Sequence, residues 1–232
     1  MKHGPMIACY DSAMLEAYRR DDWIAALLAA SPPQDAALTC QHWLLDNPAK
    51  RMIAADIYGD LLRDSTGRRV LDIGGGLTGL TRLLASRHDY GLVDIMAHDP
   101  EPLAQAMLAE LPQKTWAGRD WHDYAPEPPY DVIIANDLFP NVDQRLELFI
   151  KKFLPLAREI RLSLTIYPSP RFYPVKRTDA DEIMCLLAWD HRMLRTGLAD
   201  FLPPAMIPDQ FGPSLYPNGR QIIKLRLRGG AA

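Results

Sequence analysis

Val70-Leu71-Asp72-Ile73-Gly74-Gly75-Gly76-Leu77-Thr78-Gly79-Leu80-Thr81 decides the fold of this 232-residue chain. A short apolar run of strand length meets a cluster of glycines, and a segment with helical spacing follows. Gly74, Gly76 and Gly79 satisfy G-x-G-x-x-G. Glycine at such positions permits a tight turn and lets the backbone approach a ligand closely. The match alone does not choose a ligand, because NAD-binding enzymes share it and a tight turn without a ligand would also produce it.

Outward from this loop the chain alternates between strand and helix signals. Strands are expected at Arg69 to Ile73, at Tyr90 to Asp94 with an extension toward His98, at Thr115 to Ala117, at Tyr130 to Ala135 and at Arg161 to Tyr167. Helices are expected at Leu77 to Leu84, from Pro100 through Leu103 to Leu111, at Leu146 to Phe153 and at Ala180 to Trp189. Tyr130 to Ala135 is almost wholly apolar, as a strand buried on both faces should be. Ser214-Leu215-Tyr216 and Gln221 to Leu227 flank Pro217-Asn218-Gly219-Arg220, which reads as a hairpin. Before the first strand, helices are expected at Trp23 to Leu28 behind Asp21-Asp22, at Ala37 to Leu45 and at Met52 to Leu62. The expected fold is a doubly wound, mostly parallel α/β sheet of seven strands with an antiparallel C-terminal hairpin. Residues 1–66 form an N-terminal helical cap and residues 67–232 the ligand-binding core, in one compact domain.

Charged residues make up 24% and apolar ones 48%, an ordinary globular balance, and the formal net charge is -3. No run of Lys and Arg marks a nucleic-acid face, so no nucleic-acid partner is expected. Cys9, Cys40 and Cys185 lie far apart without a C-x-x-C pair, and the six histidines lack ligand spacing, so no metal is expected. No apolar run approaches the ~20 residues of a membrane span. Met1-Lys2-His3-Gly4-Pro5 lacks the apolar core of a signal peptide. The expectation is a cytoplasmic protein that acts on a small molecule and touches no membrane. Nothing in the pattern sets an oligomeric state.

Two features of the decisive stretch favour S-adenosylmethionine (SAM) over NAD. Asp72 stands two residues before the glycines, where a pyrophosphate would be poorly matched but an ammonium and a sulfonium would be offset. The motif also follows some 70 residues of cap, whereas many dinucleotide domains begin at that strand. A third comes from the motif order. Asp72, Gly74, Gly76 and Thr78-Gly79 resemble the D-x-G-x-G-x-G of class I SAM-dependent methyltransferases. Residues 68 to 227 resemble that family's order of motifs. The resemblance implies that Asp72, Gly74, Gly75 and Gly76 cradle SAM. It implies a ribose ligand at the end of the second strand, Asp94 or its rival Asp99. Ile95 and Met96 would cover one adenine face, or be plain core. In Gly118-Arg119-Asp120-Trp121, Asp120 would hold the adenine amino group with Trp121 beside the ring. Asn136, at the end of the fourth strand, would lie near the methionine part.

The usual outcome on this fold is methyl transfer, which often needs a base. Only His98 and His122 offer themselves, and both also read as surface residues. Aromatic residues are more conspicuous: Tyr10 in the cap, and Tyr167, Phe172 and Tyr173 around the loop after the fifth strand. Aromatic faces attract a sulfonium. The block from Asn136 to Arg145, followed by Arg161 to Thr165 and Arg171-Phe172-Tyr173, resembles bacterial azetidine-2-carboxylate synthases of peptide natural-product pathways. These use the same fold without methylating anything. The resemblance implies that the α-amino nitrogen of SAM attacks its own γ-carbon and methylthioadenosine leaves. Asn136 and Tyr173 would hold the amine and Tyr10 would face the sulfonium. Transfer of a methyl or an aminocarboxypropyl group to an outside small molecule, or SAM binding without catalysis, are the alternatives.

Overall fold

The computed structural model describes residues 4–95, 99–112, 115–176, 183–208 and 210–230. Within them, the first part of the chain forms β1 (Met6–Cys9), α1 (Ser12–Arg19), α2 (Trp23–Ala29), α3 (Thr39–Asp46) and α4 (Pro48–Arg63). The alternating part comprises β2 (Arg69–Ile73), α5 (Gly79–Arg87), β3 (Asp89–Val93), α6 (Glu101–Ala109), β4 (Trp116–Ala117), β5 (Tyr130–Asn136), α7 (Leu146–Phe153) and β6 (Ala157–Ile166). Then come β7 (Arg171–Lys176), β8 (Ile183–Ala188), α8 (His191–Leu198) and β9 (Gln221–Arg228).

Seven strands form one sheet in the order β1-β9-β6-β5-β2-β3-β4. The pairs among β4, β3, β2, β5 and β6 are all parallel. β9 runs antiparallel to both β6 and β1. Alternating side chains place the core on both faces. Leu71, Ile73, Ile133 and Ala135 belong to one cluster with Phe149 and Phe153 of α7, while Val70, Val132 and Ile134 belong to the other with Ile57 and Leu61 of α4. That period of two explains why the middle of β5, Val132 to Ala135, is apolar on both faces. Leu146, Phe149, Ile150 and Phe153 recur at helical spacing and are all buried.

α4 begins at Pro48 because the Asn47 side chain accepts from the Ala49 and Lys50 amides, and proline needs no partner at that position. A polar seam fixes α4 to the sheet. The guanidinium of Arg161 on β6, almost fully buried, donates to Ile57 O at 2.8 Å and to Asp60 Oδ2 at 2.8 Å. Arg226 on β9 donates to Asp56 O at 2.8 Å.

Three expectations need correction. Residues 183–188 form strand β8 rather than a helix, because they pair along their length with β7; residues 180–182 of that expected helix lie outside the described residues. Residues 214–216 form no strand, so β9 has no hairpin partner there; the antiparallel hairpin is β7–β8, a separate two-stranded ribbon. The segment before β2 is helical for the most part, yet it also supplies β1 to the main sheet.

Candidate active site

The carboxyl ends of the parallel strands open on a cavity of about 650 Å³, within the ~300–1,000 Å³ usual for small-molecule sites. α3 and α4 supply one wall and the glycine loop the floor. The loops after β4 and β5, the β7–β8 ribbon and the turn before β9 complete it.

The loop is built by its glycines. Gly74 and Gly76 have φ of 69° and 66°, a left-handed conformation that side chains resist. A Cβ on Gly75 would fall 2.5 Å from Asp72 Oδ2, so glycine alone lets the loop pass over that carboxylate. Gly76 N donates to Asp94 Oδ2 at 3.0 Å. Thr78 and Thr81 then cap α5 reciprocally.

Asp72 is buried, and its oxygens accept from Tyr58 at 3.3 Å and Tyr90 at 2.9 Å. Burial pushes its carboxyl up to about 7, against the two hydroxyls and with the help of nearby Asp94. The polar chain continues across the cavity. The Asn136 amide donates to the Tyr58 hydroxyl. Asn136 Oδ1 accepts from Ser163 Oγ at 2.6 Å, and that oxygen accepts from the Asp137 amide at 2.8 Å.

Most of the residues expected at a ligand site converge here: Asp72, Gly74, Gly75, Asp94, Ile95, Asp120, Trp121, Asn136 and Tyr173 all line the cavity. The rivals at the end of β3 separate. Asp94 faces the cavity and the loop, whereas Asp99 lines a shallower depression and accepts from the Thr39 amide at 2.6 Å. Met96 and His98 lie outside the described residues. Asp120 is bonded to Arg145 at 2.7 Å, and His122 is exposed and no part of the wall. Trp121 is nearly buried, packed edge-on to Phe139 and Phe149, with Nε1 donating to Asp143 at 2.7 Å. Its ring is chiefly core. Tyr173 reaches in from β7, edge-on to Tyr167 with ring centres 5.9 Å apart. Its hydroxyl is pushed up to about 12 by burial and by donation to Tyr167.

Tyr10 is corrected. It follows β1, is completely buried, and donates its hydroxyl to Asp56 Oδ2 at 2.7 Å. It fills the core beside the α4 seam and is absent from the cavity wall.

One cluster was not singled out by sequence. Asp137, just after β5, has φ of 59°, a strained value for a residue with a side chain. Its carboxylate bonds Arg220, Thr165 Oγ1 at 2.9 Å and Lys50 Nζ at 3.3 Å. Burial would raise its pKa, but Arg220 and Lys50 hold it down at about 2. The only sequence signal is position: an acid at the carboxyl end of a central strand.

A seven-stranded sheet in this order with one reversed strand, and a glycine loop opening on a cavity at the strand ends, is the architecture of the class I SAM-dependent methyltransferases. No protein-family model matches the chain. A stretch of 84 residues, 36% of the chain, is 32% identical to trans-aconitate 2-methyltransferase of Mycobacterium tuberculosis, and Mycobacterium bovis proteins of that name match equally. The chain thus matches only 31% of the length of these curated relatives. In three dimensions it resembles the 1,6-didemethyltoxoflavin-N1-methyltransferase of Burkholderia thailandensis, solved with its substrate and S-adenosylhomocysteine. The TM-score is 0.53 at 14% identity, covering 98% of this chain and 99% of that one. It also resembles the N-terminal domain of EvdMO1 with S-adenosylhomocysteine bound, with a TM-score of 0.54 at 12% identity over 95% and 100% of the two chains. At such identities the likeness is one of fold. Among the described residues no helix is long and apolar enough to cross a membrane, and no His/Cys/Asp/Glu cluster could hold a metal ion.

Proposed function

We propose that the cavity binds SAM and that the protein cyclises it to azetidine-2-carboxylate, releasing methylthioadenosine. Asp94 takes the ribose, Asp120 and Ile95 face the adenine, and the methionine part reaches toward Asn136 and Tyr173. One observation carries the reading: Asn136 and Tyr173, from separate blocks that resemble azetidine-2-carboxylate synthases, line one cavity with the glycine loop and Asp72. The neutral α-amine attacks the γ-carbon. A C–N bond forms, the C–S bond breaks, and its electron pair returns to sulfur. The amine must first lose its ammonium proton, and Asp72, poised near neutrality, is the carboxylate placed to take it. Orientation does much of the rest, since a chain folded into near-attack geometry loses much of its barrier. Asn136 is itself fixed by Ser163 and Tyr58, and Tyr173 by Tyr167. The setting that goes with this chemistry is cytoplasmic, with a small molecule as the partner.

Methyl transfer to a small-molecule acceptor is the second reading, favoured by the 84 residues aligned with a methyltransferase. Incubation with SAM alone, followed by mass spectrometry, separates the two. Azetidine-2-carboxylate with methylthioadenosine is the expected product pair. Tyr173→Phe and Asn136→Ala should lower its formation by about a hundredfold while leaving SAM affinity within a few-fold. SAM that persists, with S-adenosylhomocysteine appearing only when an acceptor is added, would establish methyl transfer instead.

A further inference from the structure

The cavity wall carries charges of both signs. Asp72 and Asp94 stand at the glycine loop, and the hydrogen bonds of Asp72 among the described residues come from two tyrosines. Just after β5, Lys50 and Arg220 converge on the single carboxylate of Asp137. Among the described residues, two cations against one anion leave one positive charge in excess there. Arg220 lies at the turn leading into β9, with its guanidinium 5.4 Å from the Tyr216 ring centre. Its Nη2 serves Asp137 and Thr165, and the residue lines the cavity. The free side of a guanidinium fork matches a carboxylate.

We propose that Arg220, supported by Lys50, is the carboxylate-recognition site of this cavity and binds the α-carboxylate of SAM. This rests on the SAM reading above. With the carboxylate drawn to Arg220 and the ammonium facing Asp72, two substituents of the α-carbon are fixed. The direction in which the chain to sulfur leaves that carbon is then set, beside Asn136 and Tyr173. Asp137 acts as a positioning residue: it holds both cations at the cavity wall and offsets their mutual repulsion.

The test is calorimetric and needs no turnover. Wild-type protein is titrated with SAM and with decarboxylated SAM, which keeps the adenosine, sulfonium and amine. Arg220→Met and Lys50→Met are titrated in the same way, after circular dichroism and thermal melts establish that each is folded. Wild type should bind SAM about ten- to a hundredfold more tightly than the decarboxylated analogue. Arg220→Met should lose most of that preference by weakening SAM alone, and Lys50→Met should lose part of it. Equal affinity of wild type for both ligands, or an undiminished preference in folded Arg220→Met, would overturn the carboxylate site while leaving SAM binding intact. If Arg220→Met does not fold, the wild-type comparison and Lys50→Met decide. Absence of binding by either ligand to wild type would instead remove the SAM reading on which the inference stands.

Discussion

Asp72 lies between the Tyr58 and Tyr90 hydroxyls with no cation bonded to it among the described residues, and burial holds its carboxyl near 7. A cationic ligand binds the ionised form, so protonation competes with it. As pH falls through 7 the proton must first be displaced, and affinity drops by up to tenfold per unit. SAM is therefore expected to bind roughly tenfold more weakly near pH 6 than near pH 7.5, with Asp72→Asn weak and flat across that range. Titration calorimetry at the two pH values checks this, and an unchanged wild-type affinity would place Asp72 away from the ligand's charge. At this scale the sequence was informative about Asp72 and the glycines because turn geometry and charge are local. It was silent on Asp137, whose partners Lys50 and Arg220 are 87 and 83 positions away and meet it only through the fold. It misassigned Tyr10 because an aromatic in a cap reads alike whether it faces a ligand or the core.

The elements differ in how much of their stability is written in their own residues. α7 coincides with its expected bounds because four apolar residues define one face. β8 does not, because Ile183-Met184-Cys185-Leu186-Leu187-Ala188 contains good helix formers. Pairing with β7 overrides that preference. β1 escaped notice because four residues at a sheet edge carry little pattern. α4 depends on the seam beneath it. Asp60 is half-exposed, but its partner Arg161 is almost wholly buried and, among the described residues, would keep Glu159, at 3.1 Å, as its carboxylate partner beside the Ile57 carbonyl if Asp60 is lost. Asp60→Ala should destabilise the protein by about 3 kcal/mol in urea denaturation, since it strips a buried charge of its better partner. Asp64→Ala, at a pair with Arg68 in which neither partner is fully buried, should cost much less. Equal effects would mean that the seam contributes nothing beyond a surface pair.

At the scale of the molecule, the cavity draws its walls from α3, α4, the strand ends, the ribbon and the turn before β9. Ligand binding therefore ties together parts of the chain that are distant in sequence. A ligand held by all of them stabilises the whole fold in proportion to its saturation. At one hundred times its Kd, SAM should add about 2.7 kcal/mol, or a rise of roughly 5–10 °C in Tm for a chain of this size. S-adenosylhomocysteine and methylthioadenosine, tested alongside, report how much of the effect comes from the adenosine end. A flat melting curve with SAM at millimolar concentration would count against the cavity as its site. The α/β architecture was legible because alternating strand and helix signals repeat along residues 69 to 166. The wall contributed by 171–176, 183–188 and 216–222 was not, because its register depends on partners from elsewhere.

The reversed ninth strand has a consequence for how the chain reaches this structure. β9 lies between β1 and β6, with Met6 opposite Arg226 and Ile160 opposite Leu227. During synthesis, β1 therefore emerges some 220 residues before β9, its neighbour in the sheet. β2 to β6 can assemble by successive parallel crossovers, but the outer face of β6 stays an open edge until residues 221–228 have left the ribosome. Such an edge is a template for unwanted pairing, and long-range strand pairing is slow. Closing the sheet is thus among the last steps of folding. The same step brings Arg220 to Asp137, so a chain halted short of it would carry the glycine loop without the cationic side of the cavity.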